Sequence, residues 1–193
     1  MKLSTITITL LLCLTSTTFA YDYIIEDGWT GGPTLQDSET LLMTGGGLDS
    51  LAMNDDSVAT IQGTSSLEQF IGGVWIIHLN NSSHLDFSGG ELHIIDFDHD
   101  STATFSGGRI DRIESDQLVA PDPHIEIICR DWTWYESPNI LTGTWQDYTT
   151  FNIQLVDQAF YTPVIENIKF TIVPEPFSLL LLAAGGALVS RRR

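Results

Sequence analysis

The chain has 193 residues, of which 25 are acidic and 8 basic, for a formal net charge of −17. That length supports one domain of ordinary size. The negative field excludes nucleic acid and anionic membrane surfaces as main partners, and two cysteines are too few for a disulfide-dense scaffold or a cysteine-built zinc site.

Residues 1–20 read as a secretory signal peptide, with Lys2 as its positive start, an apolar stretch from Ile6 to Leu14, and Thr18-Phe19-Ala20 as a small-residue cleavage site. Cleavage is expected after Ala20. The alternative is a buried hydrophobic strand. Cys13 lies inside the apolar stretch behind Leu12, where a lipoprotein site wants a small residue, so it is expected to leave with the peptide. The mature chain then keeps Cys129 alone and forms no internal disulfide. Without Lys2, Glu175 and the three C-terminal arginines, the body carries four basic and 24 acidic residues, a net charge of −20.

Residues 21–118 contain a repeat. Phe87-Ser88-Gly89-Gly90-Glu91-Leu92 recurs as Phe105-Ser106-Gly107-Gly108-Arg109-Ile110. Phe70-Ile71-Gly72-Gly73-Val74-Trp75 reads as a third copy, Met43-Thr44-Gly45-Gly46-Gly47-Leu48 as a weaker fourth and Ile61-Gln62-Gly63-Thr64 as a degenerate fifth. A serine stands four residues before most anchors, at Ser57, Ser66, Ser83 and Ser101. Each unit reads as strand, glycine corner, strand, because apolar and polar residues alternate on both sides of the corner. Polar runs such as 80–83 and 96–101 return the chain. A unit of this size cannot bury its own apolar side, but stacked units can. The expected fold is therefore all-β: a short parallel β-helix or β-solenoid over 21–118 with a C-terminal β cap over 119–172. An antiparallel meander shares this punctuation, but the anchor phenylalanines in register favour the stack.

Ala120-Pro121-Asp122-Pro123 marks the break before the cap, in which 124–129, 151–156 and 168–173 read as strands. A cap is needed because an exposed last rung pairs with other chains.

Three patterns are candidates for chemistry. Asp96, Asp98 and Asp100 alternate, so an extended strand would put three carboxylates on one face, where a calcium ion would relieve their repulsion. Ser101 and Gly107 stand where an EF-hand wants Gly and Glu, so the competing reading is a solvated turn, and no other cofactor is expected. A zinc site through His93 and His99 lacks a third ligand. Second, Asp96, Asp98 and Asp116 with Arg109 or Arg112 are the candidates if a β-helix of this kind cleaves polysaccharide, a role that needs carboxylates at a fixed separation. Third, Trp132 and Trp134 alternate onto one strand face. Exposed, they would form a sugar-stacking platform; buried, they would plug the cap, which the usual burial of tryptophan favours.

The tail, 173–193, is the most specific signal: Val173-Pro174-Glu175-Pro176, an apolar run to Val189, then Ser190 and Arg191-Arg192-Arg193. The prolines keep the motif extended. The apolar segment reads as a hydrophobic helix, short for a full membrane span, and the arginines form a stop on the cytoplasmic side. Together these residues resemble the PEP-CTERM sorting signal of Gram-negative bacteria. The resemblance implies that an exosortase recognises the tail, held transiently in the inner membrane, and processes it near the motif. The alternative is a permanent single-pass anchor. Both readings place residues 21–173 outside the cytoplasm.

The sequence therefore points to an exported, exosortase-sorted, non-enzymatic structural or adhesive protein of the envelope or exopolysaccharide matrix. The competing class is a carbohydrate-binding or polysaccharide-cleaving β-helix protein.

Overall fold

Alternating apolar and polar residues on each side of a glycine corner become, in the computed structural model, two short strands per coil. The structure describes residues 20–63, 73–115 and 124–174. In chain order its strands are β1 (Tyr23–Ile25), β2 (Trp29–Thr30), β3 (Thr34–Leu35), β4 (Thr40–Met43), β5 (Gly47–Met53), β6 (Val58–Gln62), β7 (Gly73–Leu79) and β8 (His84–Gly89). There follow β9 (Glu91–Phe97), β10 (Thr102–Phe105), β11 (Arg109–Ser115), β12 (Ile125–Cys129), β13 (Asp131–Tyr135), β14 (Ile140–Thr144), β15 (Thr150–Asp157) and β16 (Ile168–Ile172). A 3₁₀ turn, Val164–Asn167, precedes β16.

The strands form two sheets. The first, of seven strands, runs β1-β4-β6-β8-β10-β12-β16; the second, of nine, runs β13-β14-β15-β11-β9-β7-β5-β2, with β3 also on β5. All pairings in the first sheet are parallel. In the second, pairings are parallel from β2 to β15, and only β13-β14 and β14-β15 are antiparallel. From β4 to β12 consecutive strands alternate between sheets and each pairs with a strand one coil earlier. The fold is thus all-β with parallel sheets, consistent with a β-solenoid, and antiparallel pairing among the described residues is confined to β13, β14 and β15.

Register shows why the repeat works. Leu41 pairs with Ala59, Ala59 with Leu85 and Leu85 with Ala103. Met43, Ile61, Phe87, Phe105, Ile127 and Phe170 form the next row. Leu48, Val74, Leu92 and Ile110 form a facing row in the other sheet. In the coil of β8 and β9, Leu85, Phe87, Leu92, Ile95 and Phe97 are all fully buried, each stabilising by about 1.5–3 kcal/mol.

The copy anchored at Phe70 differs from the sequence expectation. Gly73 pairs with Glu91 and Val74 with Leu92, so Val74 rather than Trp75 enters the core row. In the first sheet Ile61 pairs directly with Phe87. Phe70 and the rest of residues 64–72 lie outside the described residues.

Each coil turns twice. At the glycine corner, Gly28, Gly46, Gly90 and Gly108 have φ of +76°, +72°, +91° and +81°. The glycine before, such as Gly107, serves a different need: a Cβ there would come within 2.5 Å of the Ser88 carbonyl on the preceding coil. At the opposite turn, Asp37, Asp55, Asn81 and His99 have φ of +52° to +57°, which short polar side chains tolerate best. The recurring serine closes this turn: the amides of Ser57, Ser83 and Ser101 donate to the carbonyls of Asn54, Asn80 and Asp98. Asn80 Nδ2 also donates to Met53 O at 3.2 Å and Asn54 Oδ1 at 3.1 Å, tying one coil to the next.

The segment expected as a cap over 119–172 contributes to both structures. β12 and β16 extend the first sheet in register, and β15 extends the second. Only β13 and β14 fold back. The residue sealing this end is Trp145, which is fully buried. Its indole Nε1 donates to Gly108 O at 2.8 Å, and its ring lies 4.3 Å from that of Phe151.

Residues 1–19 of the expected 1–20 leader, Glu175, Pro176, the apolar run and Arg191, Arg192 and Arg193 lie outside the described residues. Among those described, no helix is long and apolar enough to cross a membrane.

Candidate functional site

The aspartate series is divided by the turn. β9 ends at Phe97, which points into the core, so the strand alternation stops there. Asp96 is on the outer face of its sheet, 3.5 Å from His78 Nδ1. Asp98 begins the turn, its amide donating to Leu79 O and its carboxylate 2.9 Å from Nδ1 of His99. Asp100 is exposed in the turn. The positions of Asp98 and Asp100 match those of Asn80 and Ser82 one coil earlier, so polar turn chemistry accounts for them.

A denser polar cluster lies on the outer face of the second sheet beside the glycine corner. Arg109 pairs in register with Glu91. His93 and Asp111 sit side by side between the paired rows Leu92–Ile110 and Ile94–Arg112, and Trp75 holds the same place on β7. His93 Nδ1 is 2.7 Å from Asp111 Oδ2. Arg109 bridges the two acids, Nη1 to Glu91 Oε1 at 2.6 Å and Nε to Asp111 Oδ1 at 2.9 Å. The Trp75 and His93 ring centroids are 4.5 Å apart. Glu91, His93 and Asp111 are half-buried, whereas Arg109 is exposed. One ligand atom from each of the three lies within 4.8 Å of the other two.

Sequence reasoning singled out His93 and Arg109 but matched them with other partners. The signal was in the repeat itself. With 18 residues per coil here, as the pairing of Leu92 with Ile110 shows, residue n lies beside residue n + 18. This places His93 by Asp111 and Glu91 by Arg109. Of the residues proposed for polysaccharide cleavage, Arg112 pairs with Glu114 at 2.7 Å, and Asp116 lies outside the described residues.

The aromatic pair sits at the other end of the same sheet. β13 is its edge strand, and every residue of β13 is exposed. Trp132 is 41% and Trp134 37% accessible, contrary to the burial expected of a plug. The physical reason is their position. Trp134 is directly opposite Leu141, which is itself opposite Ile153, and both of those are buried. The tryptophans thus face the core side but lie past its last row. Trp132 covers Phe170 of β16 in a parallel stack, centroids 3.9 Å apart, leaving its other face to solvent. Trp134 Nε1 donates to Asn139 Oδ1 at 2.9 Å, which fixes its ring. Tyr135, on the opposite face of the strand, is also exposed.

A third feature is a cleft of about 650 Å³ at the N-terminal end, lined by Tyr23, Ile24, Thr30, Pro33 and Leu41 among others. Its carboxylate, Asp22, accepts hydrogen bonds from the Thr40 amide and hydroxyl, which hold its pKa below the usual range. Cys129 is buried and free, and burial, with the Asp131 carboxylate adding to it, pushes its thiol up to about 11.

No protein-family model, curated protein or solved structure matches the chain.

Proposed function

We propose that this chain is an exported, non-enzymatic protein of the cell surface or exopolysaccharide matrix, and that it contacts polysaccharide through the aromatic strand at its C-terminal end. The observation that carries this reading is the exposure of Trp132 and Trp134 side by side on an edge strand. Solvent-exposed flat aromatic faces are costly to leave wet and suit the apolar faces of sugar rings. Trp132 is held by Phe170 and Trp134 by Asn139, so neither ring loses much freedom on binding. The body's net charge of −20 selects against polyanions, so the ligand is a neutral or weakly charged glycan. The stacked coils, read as a short parallel β-helix, supply a stiff support.

Export rests on the leader ending at Ala20, and sorting on Val173-Pro174-Glu175-Pro176 with Arg191, Arg192 and Arg193. The exosortase is then the processing partner, and the inner membrane holds the tail until cleavage. A cleaving enzyme is the weaker reading: Asp96 and Arg109 each engage their own ion pairs on the outer face of the second sheet.

The test is affinity electrophoresis of the full chain through gels containing neutral exopolysaccharide. Wild type is expected to be retarded, and Trp132→Ala and Trp134→Ala to run freely with unchanged circular dichroism. Equal retardation of the variants would overturn the binding reading, and release of reducing ends would overturn the non-enzymatic one. For sorting, mass spectrometry of the mature protein should find an N-terminus at Tyr21 and a C-terminus within 173–176; an intact Arg193 would instead establish the anchor.

A further inference from the structure

The cluster at the glycine corner has no part in the aromatic contact, and its donor set is that of a metal site. We infer that Glu91, His93 and Asp111 form a site for a divalent zinc-class ion, and that Arg109 is the resident cation such an ion displaces.

Three features support this. First, the donors are chemically mixed, one imidazole nitrogen and two carboxylates. That set suits zinc and neighbouring transition ions, whereas calcium takes oxygen ligands alone. Second, the donors come from two adjacent paired strands, Glu91 and His93 from β9 and Asp111 from β11, so the sheet register holds them without any loop. Their ligand atoms already lie within 4.8 Å of one another. Bonds of about 2.0–2.2 Å in a tetrahedral site place ligand atoms roughly 3.3–3.5 Å apart, so closure takes only about 1–1.5 Å of side-chain movement. The Trp75 ring packs against His93 with centroids 4.5 Å apart and limits its movement.

Third, the charge leaves room for the ion. Two carboxylates share one guanidinium. Arg109 is the most exposed member of the cluster, its side chain 64% accessible against 17% for His93 and 18% for Glu91. It can swing to solvent on its long stem while the ligands stay fixed. A divalent ion would then neutralise both acids, and with three protein ligands its fourth position stays open to water or an exogenous donor.

The experiment is isothermal titration calorimetry of the full chain with zinc chloride, with calcium chloride at the same concentrations as a control for unspecific attraction to the acidic body. Wild type should show one saturable site for zinc and none of that shape for calcium. Removing a partner that merely orients a ligand costs roughly 10–100-fold in metal affinity, so His93→Ala and Asp111→Asn should each lose at least that much. Thermal melts establish that both variants are folded, and zinc should raise the melting temperature of wild type alone. Arg109→Gln should bind zinc more tightly than wild type, because it removes the competing charge. A structural ion-pair role for Arg109 does not predict that gain. Zinc heats that match those for calcium, or that are unchanged in His93→Ala and Asp111→Asn, would overturn the site. Unchanged or weaker binding by Arg109→Gln would overturn the displacement.

Discussion

Trp145→Ala should remove the seal at the C-terminal end of the core. The side chain is fully buried, its indole N–H satisfies the Gly108 carbonyl at 2.8 Å, and its ring packs 4.3 Å from Phe151. Truncating a buried tryptophan costs about 3–5 kcal/mol through lost burial and the cavity left behind. Taking about 4 kcal/mol, and 2–4 °C per kcal/mol for a chain of this size, the melting temperature should fall by roughly 8–16 °C. Trp145→Phe separates the components: it keeps most of the apolar contact but orphans the Gly108 carbonyl, which should cost about 1–3 kcal/mol. The assay is thermal melting by circular dichroism with urea denaturation beside it. Trp132→Ala is the control, because its ring is partly in solvent already and its loss removes chiefly the stack on Phe170, worth about 0.5–1.5 kcal/mol beyond burial. If Trp145→Ala melts within about 1 kcal/mol of wild type, or Trp132→Ala is the more damaging change, the assignment of the plug is wrong.

Gly108→Ala should destabilise the stack by more than about 2 kcal/mol, since a left-handed φ of +81° costs an L-residue roughly 1–2 kcal/mol by itself. The added Cβ would also lie 2.6 Å from Phe87 Cε1 and 2.9 Å from Gly90 O. Gly31→Ala is the matched control with nothing within 4 Å of its Cβ, and urea midpoints that do not separate the two would refute the corner argument. Cys129, buried with its thiol raised to about 11, stays protonated at neutral pH and should resist iodoacetamide in the folded chain at about pH 8, reacting fully once urea unfolds it. Rapid alkylation of folded protein, mapped to Cys129 by mass spectrometry, would contradict that burial.

Much of the architecture was legible because the repeat is local. Phe87 and Phe105, each followed by a serine and two glycines, announce a strand and a corner that any window of the chain reveals. The stacked row Met43, Ile61, Phe87 and Phe105 follows once the coils are parallel. One departure has a physical cause. The glycine pair Gly72-Gly73 looks like the other corners and would set Trp75 level with Leu92. Strand register is decided by which residues face the core, however, and Val74 rather than Trp75 does so. The aspartates alternate as an extended strand would, but 96–101 also reads as a polar return, and the structure takes the turn, with His99 at φ of +56°.

By itself the sequence determined the all-β class, the coil built on glycine corners, the acidity of the body and the residue types available for chemistry. These depend on neighbours within one coil. Only the tertiary structure decided which tryptophan is buried and which residues meet. Trp132, Trp134 and Trp145 are equally apolar, and their different fates follow from where each sits relative to the last core row. Glu91, His93 and Asp111 come together because a parallel stack sets residues of successive coils side by side, a contact fixed by strand pairing across coils rather than by adjacency in the chain.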